Sequence, residues 1–236
     1  MKEVPPKYIK EIRPPFVGKV ITEVPFMEQP HFNWSGYVGL STLLQHSGFS
    51  VTPDHLFHQS HPQEADVTQL SNSAIRNLPV PTYTHLAAMA KDIVGETHIV
   101  RLFHNGTYKN KITGKYAREG TYDSYKKLSP SVTPFHLLDT LLHRDTPAMV
   151  RIRARNVVIV GLGTQDNQAA YKVFNPTKKE PEIISRETLD ALWKEDDKTQ
   201  TLPKKRFFLP KYPVMSTEYL MLAIYPKKAR TAKKES

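Results

Sequence analysis

The chain contains no cysteine, which excludes a disulfide framework, thiolate metal ligands and a thiol nucleophile together. Histidine is missing from its second part: all ten imidazoles lie at or before His143. Residues 144–236 therefore bring no side chain whose ordinary titration falls near neutral pH. No apolar run approaches the roughly 20 residues needed to cross a bilayer; the longest is Val157–Leu162. The first fifteen residues alternate charge and proline and lack the apolar centre of a secretory signal. These absences lead us to expect a soluble protein without a signal peptide, either cytoplasmic or delivered by a leaderless secretion route.

What is present fits a globular domain. At 236 residues, 39% hydrophobic and 24% charged, the chain is long enough to bury a core without cross-links. Its formal charge of +10, from 33 Lys and Arg against 23 Asp and Glu, favours encounter with an acidic protein, nucleic acid or anionic lipid. The excess is concentrated. Residues 227–236 hold five bases and one acid, and residues 101–127 hold seven bases and two acids.

Residues 1–20, punctuated by Pro5, Pro6, Pro14 and Pro15, are expected to form an extended lead-in. Residues 21–27 alternate as a strand. Apolar spacing through Val38, Leu40, Leu43 and Leu44 predicts a helix from Ser35 to about His46, with Gly48 as its stop. Thr52-Pro53, Thr82 and Thr133-Pro134 read as three further helix starts, each a capping threonine. From Pro147 onward the pattern turns to strands, broken by one helix over 187–194. Helices first and antiparallel strands second predict an α+β fold, with a helical lobe over about 35–145 and a β lobe over about 146–226. Residues 21–226 would then be one domain, followed by a disordered basic tail over 227–236.

One constellation carries chemistry. Gln29, a short gap, then Trp34-Ser35-Gly36 opens a helix; much later Arg155-Asn156 enters an apolar strand, Val157–Gly161, and Asn175-Pro176 follows one strand on. A helix start favours an anion through its dipole and its free N–H groups, and a Gln six residues earlier can aim a donor at the same oxygen. In layout this resembles the papain-like cysteine peptidases, nearest the bacterial peptidases that trim bacteriocin leaders after a double glycine and related effector peptidases.

That resemblance implies a two-lobed papain-like fold. Ser35 would stand at the nucleophile position, Gln29 at the oxyanion position, Arg155 or Asn156 at the position of the lost histidine, and Asn175 at the third member's position. Trp34, Gly36 and Gly161 would line the binding groove. Serine needs a general base to attack anything near pH 7, and neither Arg155 nor Asn156 can accept a proton there. The expectation is a pseudoenzyme that binds a peptide or protein in the inherited groove, with no cofactor and no metal.

Two rival functions stay open on the residues alone. Ser35 could serve an active hydrolase or acyltransferase if His31, His46 or His104 reached across the cleft, in a leaderless effector for example. Alternatively, Arg101, Lys109, Lys111, Lys115 and Arg118, interleaved with Phe103, Tyr108, Tyr116 and Tyr122, mix cations and aromatic faces as single-strand nucleic-acid binders do. His55, His58 and His61 are spaced by three, but Pro62 ends their segment, so a histidine-bearing surface is expected there rather than a metal site.

Overall fold

Threonine hydroxyls set where three of the helices begin. Thr52 accepts the His55 N–H at 3.2 Å, Thr82 the His85 N–H at 3.2 Å and Thr133 the His136 N–H at 3.1 Å. Each satisfies one of the N–H groups that a helix start leaves without an intrahelical partner. The computed structural model describes residues 15–31, 33–62, 81–104, 125–127, 133–152, 155–194 and 219–227. Its helices are α1 (Ser35–His46), α2 (Pro53–Ser60), α3 (Tyr83–Val94), α4 (Pro134–His143) and α5 (Arg186–Lys194). Gly48 and Gly95 have positive φ, 88° and 54°, just past α1 and α3, where glycine carries no Cβ penalty.

The strands are β1 (Val17–Val20), β2 (His98–His104), β3 (Tyr125–Lys127), β4 (Ala148–Ile152), β5 (Arg155–Gln165), β6 (Gln168–Phe174), β7 (Glu182–Ser185) and β8 (Met221–Pro226). They form one eight-stranded sheet in the order β3-β2-β8-β4-β5-β6-β7, with β1 paired to β5 beside that path. The expected strand over residues 21–27 lies earlier in the chain, at Val17–Val20. Its ladder ends where the Ile21 N–H donates to Val160 O at 2.8 Å; Glu23 then turns through φ of 61°, and Pro25 has no N–H to continue it. Residues 17–20 are therefore sheet rather than lead-in. Because β2 pairs with β8 over Phe103↔Met221 to His98↔Pro226, the sheet also crosses the expected lobe boundary at residue 146.

The core lies between the sheet and α1. Every residue of α1 from Ser35 to Leu44 is buried, as expected for a helix enclosed on all sides. Two glycines set how near it comes to the sheet. A Cβ on Gly36 would lie 3.3 Å from Asn156 Nδ2, and one on Gly39 would collide with the Met149 side chain on β4 and meet Val158 Cγ2 on β5 at 3.7 Å. Spaced by three, they put backbone rather than side chain on the face that meets β4 and β5. Behind them Leu40 and Leu44, each 0% exposed, fill the interior.

Gly39→Val should therefore drive α1 from the sheet. Met149 is fully buried, so accommodating the added methyls requires repacking around it, and a loss of about 1–3 kcal/mol is expected from overpacking. Thermal unfolding followed by far-ultraviolet circular dichroism checks this, a midpoint unchanged from wild type being the contrary result.

Candidate functional site

The close approach of α1 brings two residues 121 positions apart in sequence into contact. Ser35 is the first residue of α1 and is 5% exposed; Asn156 is the second residue of β5 and is 3% exposed. Ser35 Oγ accepts the Asn156 backbone N–H at 3.1 Å and the Asn156 Nδ2–H at 3.3 Å. The β5–β6 ladder begins at Val158↔Phe174, so Asn156 has no β6 partner, and the serine hydroxyl satisfies its N–H instead. Ser35 is not the N-cap of α1. That place belongs to Trp34, which makes no side-chain cap bond, and the Ser35 hydroxyl is turned to the sheet.

A continuous path of contacts leads on to the other positions. Arg155, exposed beside Asn156, donates from Nη1 to Thr177 Oγ1 at 3.2 Å. The Thr177 hydroxyl in turn donates to Asn175 Oδ1 at 2.9 Å, and its backbone N–H reaches the same oxygen at 3.2 Å. Pro176 O accepts the Gln29 backbone N–H at 2.8 Å, while Phe26 packs edge-on against Phe174 at 5.1 Å. Gln29, Ser35, Arg155, Asn156 and Asn175 thus form one neighbourhood.

Several individual expectations need correction. Of the pair Arg155 and Asn156, strand alternation turns Asn156 inward to Ser35 and Arg155 outward. Asn175 is committed to its own turn and to Glu182, to which its Nδ2 donates at 2.8 Å, so its side chain does not orient residue 156. Trp34 lines no groove: it is 2% exposed, stacked on Phe57 at 4.7 Å and edge-on to Tyr37 and His31. Gly161 lies beneath β1, where a Cβ would stand 2.8 Å from Lys19 O, and serves that backbone approach. Gly36 is covered as well, because a Cβ there would meet Pro81 Cγ and Leu86 Cδ1, both at 3.2 Å. Pro81 and Leu86, on either side of the start of α3, thus cover Gly36. The sequence carried no signal for them, whereas Thr177, directly after Asn175-Pro176, could have been found as the partner in an Asx turn.

No described histidine hydrogen-bonds Ser35. His31 lies against Trp34, and His46 Nε2 is 3.0 Å from Asp145 O. His104 belongs to β2, but its side chain lies outside the described set. Buried Gln29 Oε1 and Asn156 Oδ1 find no donor among the described residues, so the site is short of donors rather than of acceptors.

Beyond the site, His61 is stacked on Phe57 at 4.7 Å, and no group of three metal-binding side chains occurs among the described residues. Lys109, Lys111, Lys115, Arg118, Tyr108, Tyr116, Tyr122 and the tail beyond Lys227 lie outside the described residues; Arg101 and Phe103 are in β2. No described helix is long and apolar enough to cross a membrane.

No protein-family model and no curated protein matches the chain. Among solved structures it is similar to a candidate C39-like peptidase from Bacillus anthracis, with a TM-score of 0.51 and 12% identity over 89% of this chain and 98% of that one. At such identity the likeness speaks for the fold. The fold is α+β and papain-like.

Ser35→Ala should leave two buried donors of Asn156 without their acceptor, at a cost of about 1–3 kcal/mol; urea unfolding measures it, and an unchanged midpoint would deny the contact any weight. A second expectation concerns His85, whose Nε2 meets Ser60 Oγ at 2.9 Å and so ties α3 to α2. Burial first, and then the neighbouring His61, hold its pKa below the ordinary 6.5. The fold prefers the neutral ring, so this stabilisation is complete above pH 6.5 and fades as pH falls below it. In His85→Gln the decline in unfolding midpoint between neutral and mildly acid pH should be shallower than in wild type.

Proposed function

We propose that the chain is a catalytically silent papain-like protein that works by binding an extended peptide or protein segment. The observation that carries this reading is the mutual use of Ser35 and Asn156. An acyl-transfer nucleophile needs a partner that takes its proton. Here the partner supplies only donors to the hydroxyl, and an amide nitrogen cannot act as a base. On this reading Ser35 stands at the nucleophile position and Asn156 at the base position. The pair has changed from a reactive couple into a structural bond between α1 and β5.

Burial of both residues argues that a ligand would lie on the rim rather than on the pair. That rim is formed by exposed Arg155 and Thr177 and half-buried Gln29. An extended segment can bind such a surface through backbone hydrogen bonds. With Arg155 at its centre and a formal charge of +10 overall, acidic peptides suit it best.

A fluorophosphonate probe should not label the protein. Peptides selected from an extended acidic library should bind, and Arg155→Glu should weaken them by at least tenfold, the effect of turning an attraction into a repulsion. Labelling that disappears in Ser35→Ala would show a live hydrolase and end the silent reading. Peptides that bind Arg155→Glu as well as wild type would remove the rim.

A further inference from the structure

A cavity of about 640 Å³ opens where the starts of α4, α5 and β6 meet, a size in the range of small-molecule sites. It shares no lining residue with the Ser35 neighbourhood. Its apolar wall is built from aromatic rings: Phe135 and Tyr219 are 6% and 8% exposed and stand 6.4 Å apart. Fully buried Trp193 backs both, at 5.7 Å from Phe135 and 5.3 Å from Tyr219. The Trp193 indole N–H is fixed on Leu220 O at 3.2 Å. This wall is held rigid from behind.

Three charged groups line the cavity, Arg186, Glu187 and Asp190, and the cation and Asp190 are in different states. Asp190 is fully engaged: Oδ1 accepts the Tyr219 hydroxyl at 2.6 Å and Oδ2 accepts Lys194 Nζ at 2.6 Å. Its charge is met by Lys194, and more weakly by the nearby Arg186. Arg186 itself makes its close contact through its face. Its guanidinium lies 4.7 Å over the Phe135 ring, and it has no hydrogen bond or ion pair with any described residue. A guanidinium resting on an aromatic ring keeps the N–H fork at its edge free for a planar acceptor.

We infer that this cavity is a second binding site, taking a carboxylate that carries an apolar body of one or two residues' size, with Arg186 gripping the carboxylate and Phe135 and Tyr219 receiving the body. A carboxylate matches the fork with two parallel hydrogen bonds. Glu187, next in α5 and also lining the cavity, keeps the local charge low and disfavours a phosphate dianion. The same chemistry is offered by a free small carboxylic acid and by the C-terminus of a peptide.

The test is titration of the full chain, followed in ¹H–¹⁵N spectra, with N-acetylphenylalanine, with its amide, and with a tetrapeptide ending in phenylalanine with a free carboxylate. The acid should shift the amides of Ser185–Glu187 and the Trp193 indole saturably in the millimolar range, and the amide should bind at least tenfold more weakly for want of the fork contact. Arg186→Gln should lose the preference for acid over amide, and Arg186→Lys, which keeps charge but not the fork, should retain part of it. Tighter binding of the tetrapeptide would assign the site to peptide ends, and tighter binding of the single residue to small acids. No saturable shift, equal binding of acid and amide, or an unchanged preference in Arg186→Gln would overturn the inference.

Discussion

The architecture turns on how closely α1 can lie against the sheet. Gly36 and Gly39 remove the side chains that would hold the helix off β4 and β5, and the first residue of α1 then lands on the second residue of β5. Ser35 Oγ closes this contact by accepting both Asn156 donors. The bond solves a local problem, because the β5–β6 ladder does not reach Asn156 and a buried N–H without an acceptor is costly. Where the papain-like resemblance would place a nucleophile beside its base, the structure sets an acceptor beside two donors.

The chemistry follows from that inversion. Preorganised donors near a nucleophile stabilise charge as it develops, but only after something has removed the proton. Residue 156 is an amide, residue 175 is spent on its own turn, and both members of the Ser35–Asn156 pair are buried. What stays accessible is the rim of Arg155, Thr177 and Gln29. On the function proposed above, these features serve binding rather than hydrolysis. The separate Arg186 cavity adds a cation without a hydrogen bond or ion pair to any described residue, in a chain whose positive charge exceeds its negative.

Much of the fold was legible because its cues are local. Thr52, Thr82 and Thr133 each announce a helix start within three residues, and Gly48 announces a stop by its conformation alone. The resemblance in order and spacing assigns Ser35 and either Arg155 or Asn156 to one site; which of the two faces Ser35 is set by the packing of α1 on β5. The misplacements share a different cause. Whether residues 17–20 or 21–27 form the strand depends on what β5 offers as a partner, which neither segment carries in itself. Trp34 beside a presumed nucleophile suggested a groove wall, yet only the position of α2 shows that Phe57 claims its face. The resemblance gives Gly161 and Asn175 places in the site, whereas each serves a neighbour in the sheet or the turn. Arg186, on an ordinary amphipathic helix, gave no sign in sequence that Phe135 lies under it.

Amide hydrogen exchange at Asn156 tests the central claim most directly. If Ser35 Oγ holds that N–H, Asn156 should exchange as slowly as the core amides of β5 in the wild type. In Ser35→Ala it should exchange at least tenfold faster, while Val158 and Val160 keep their protection. Exchange at Asn156 that is already fast in the wild type, or that is unmoved by loss of the hydroxyl, would contradict the account.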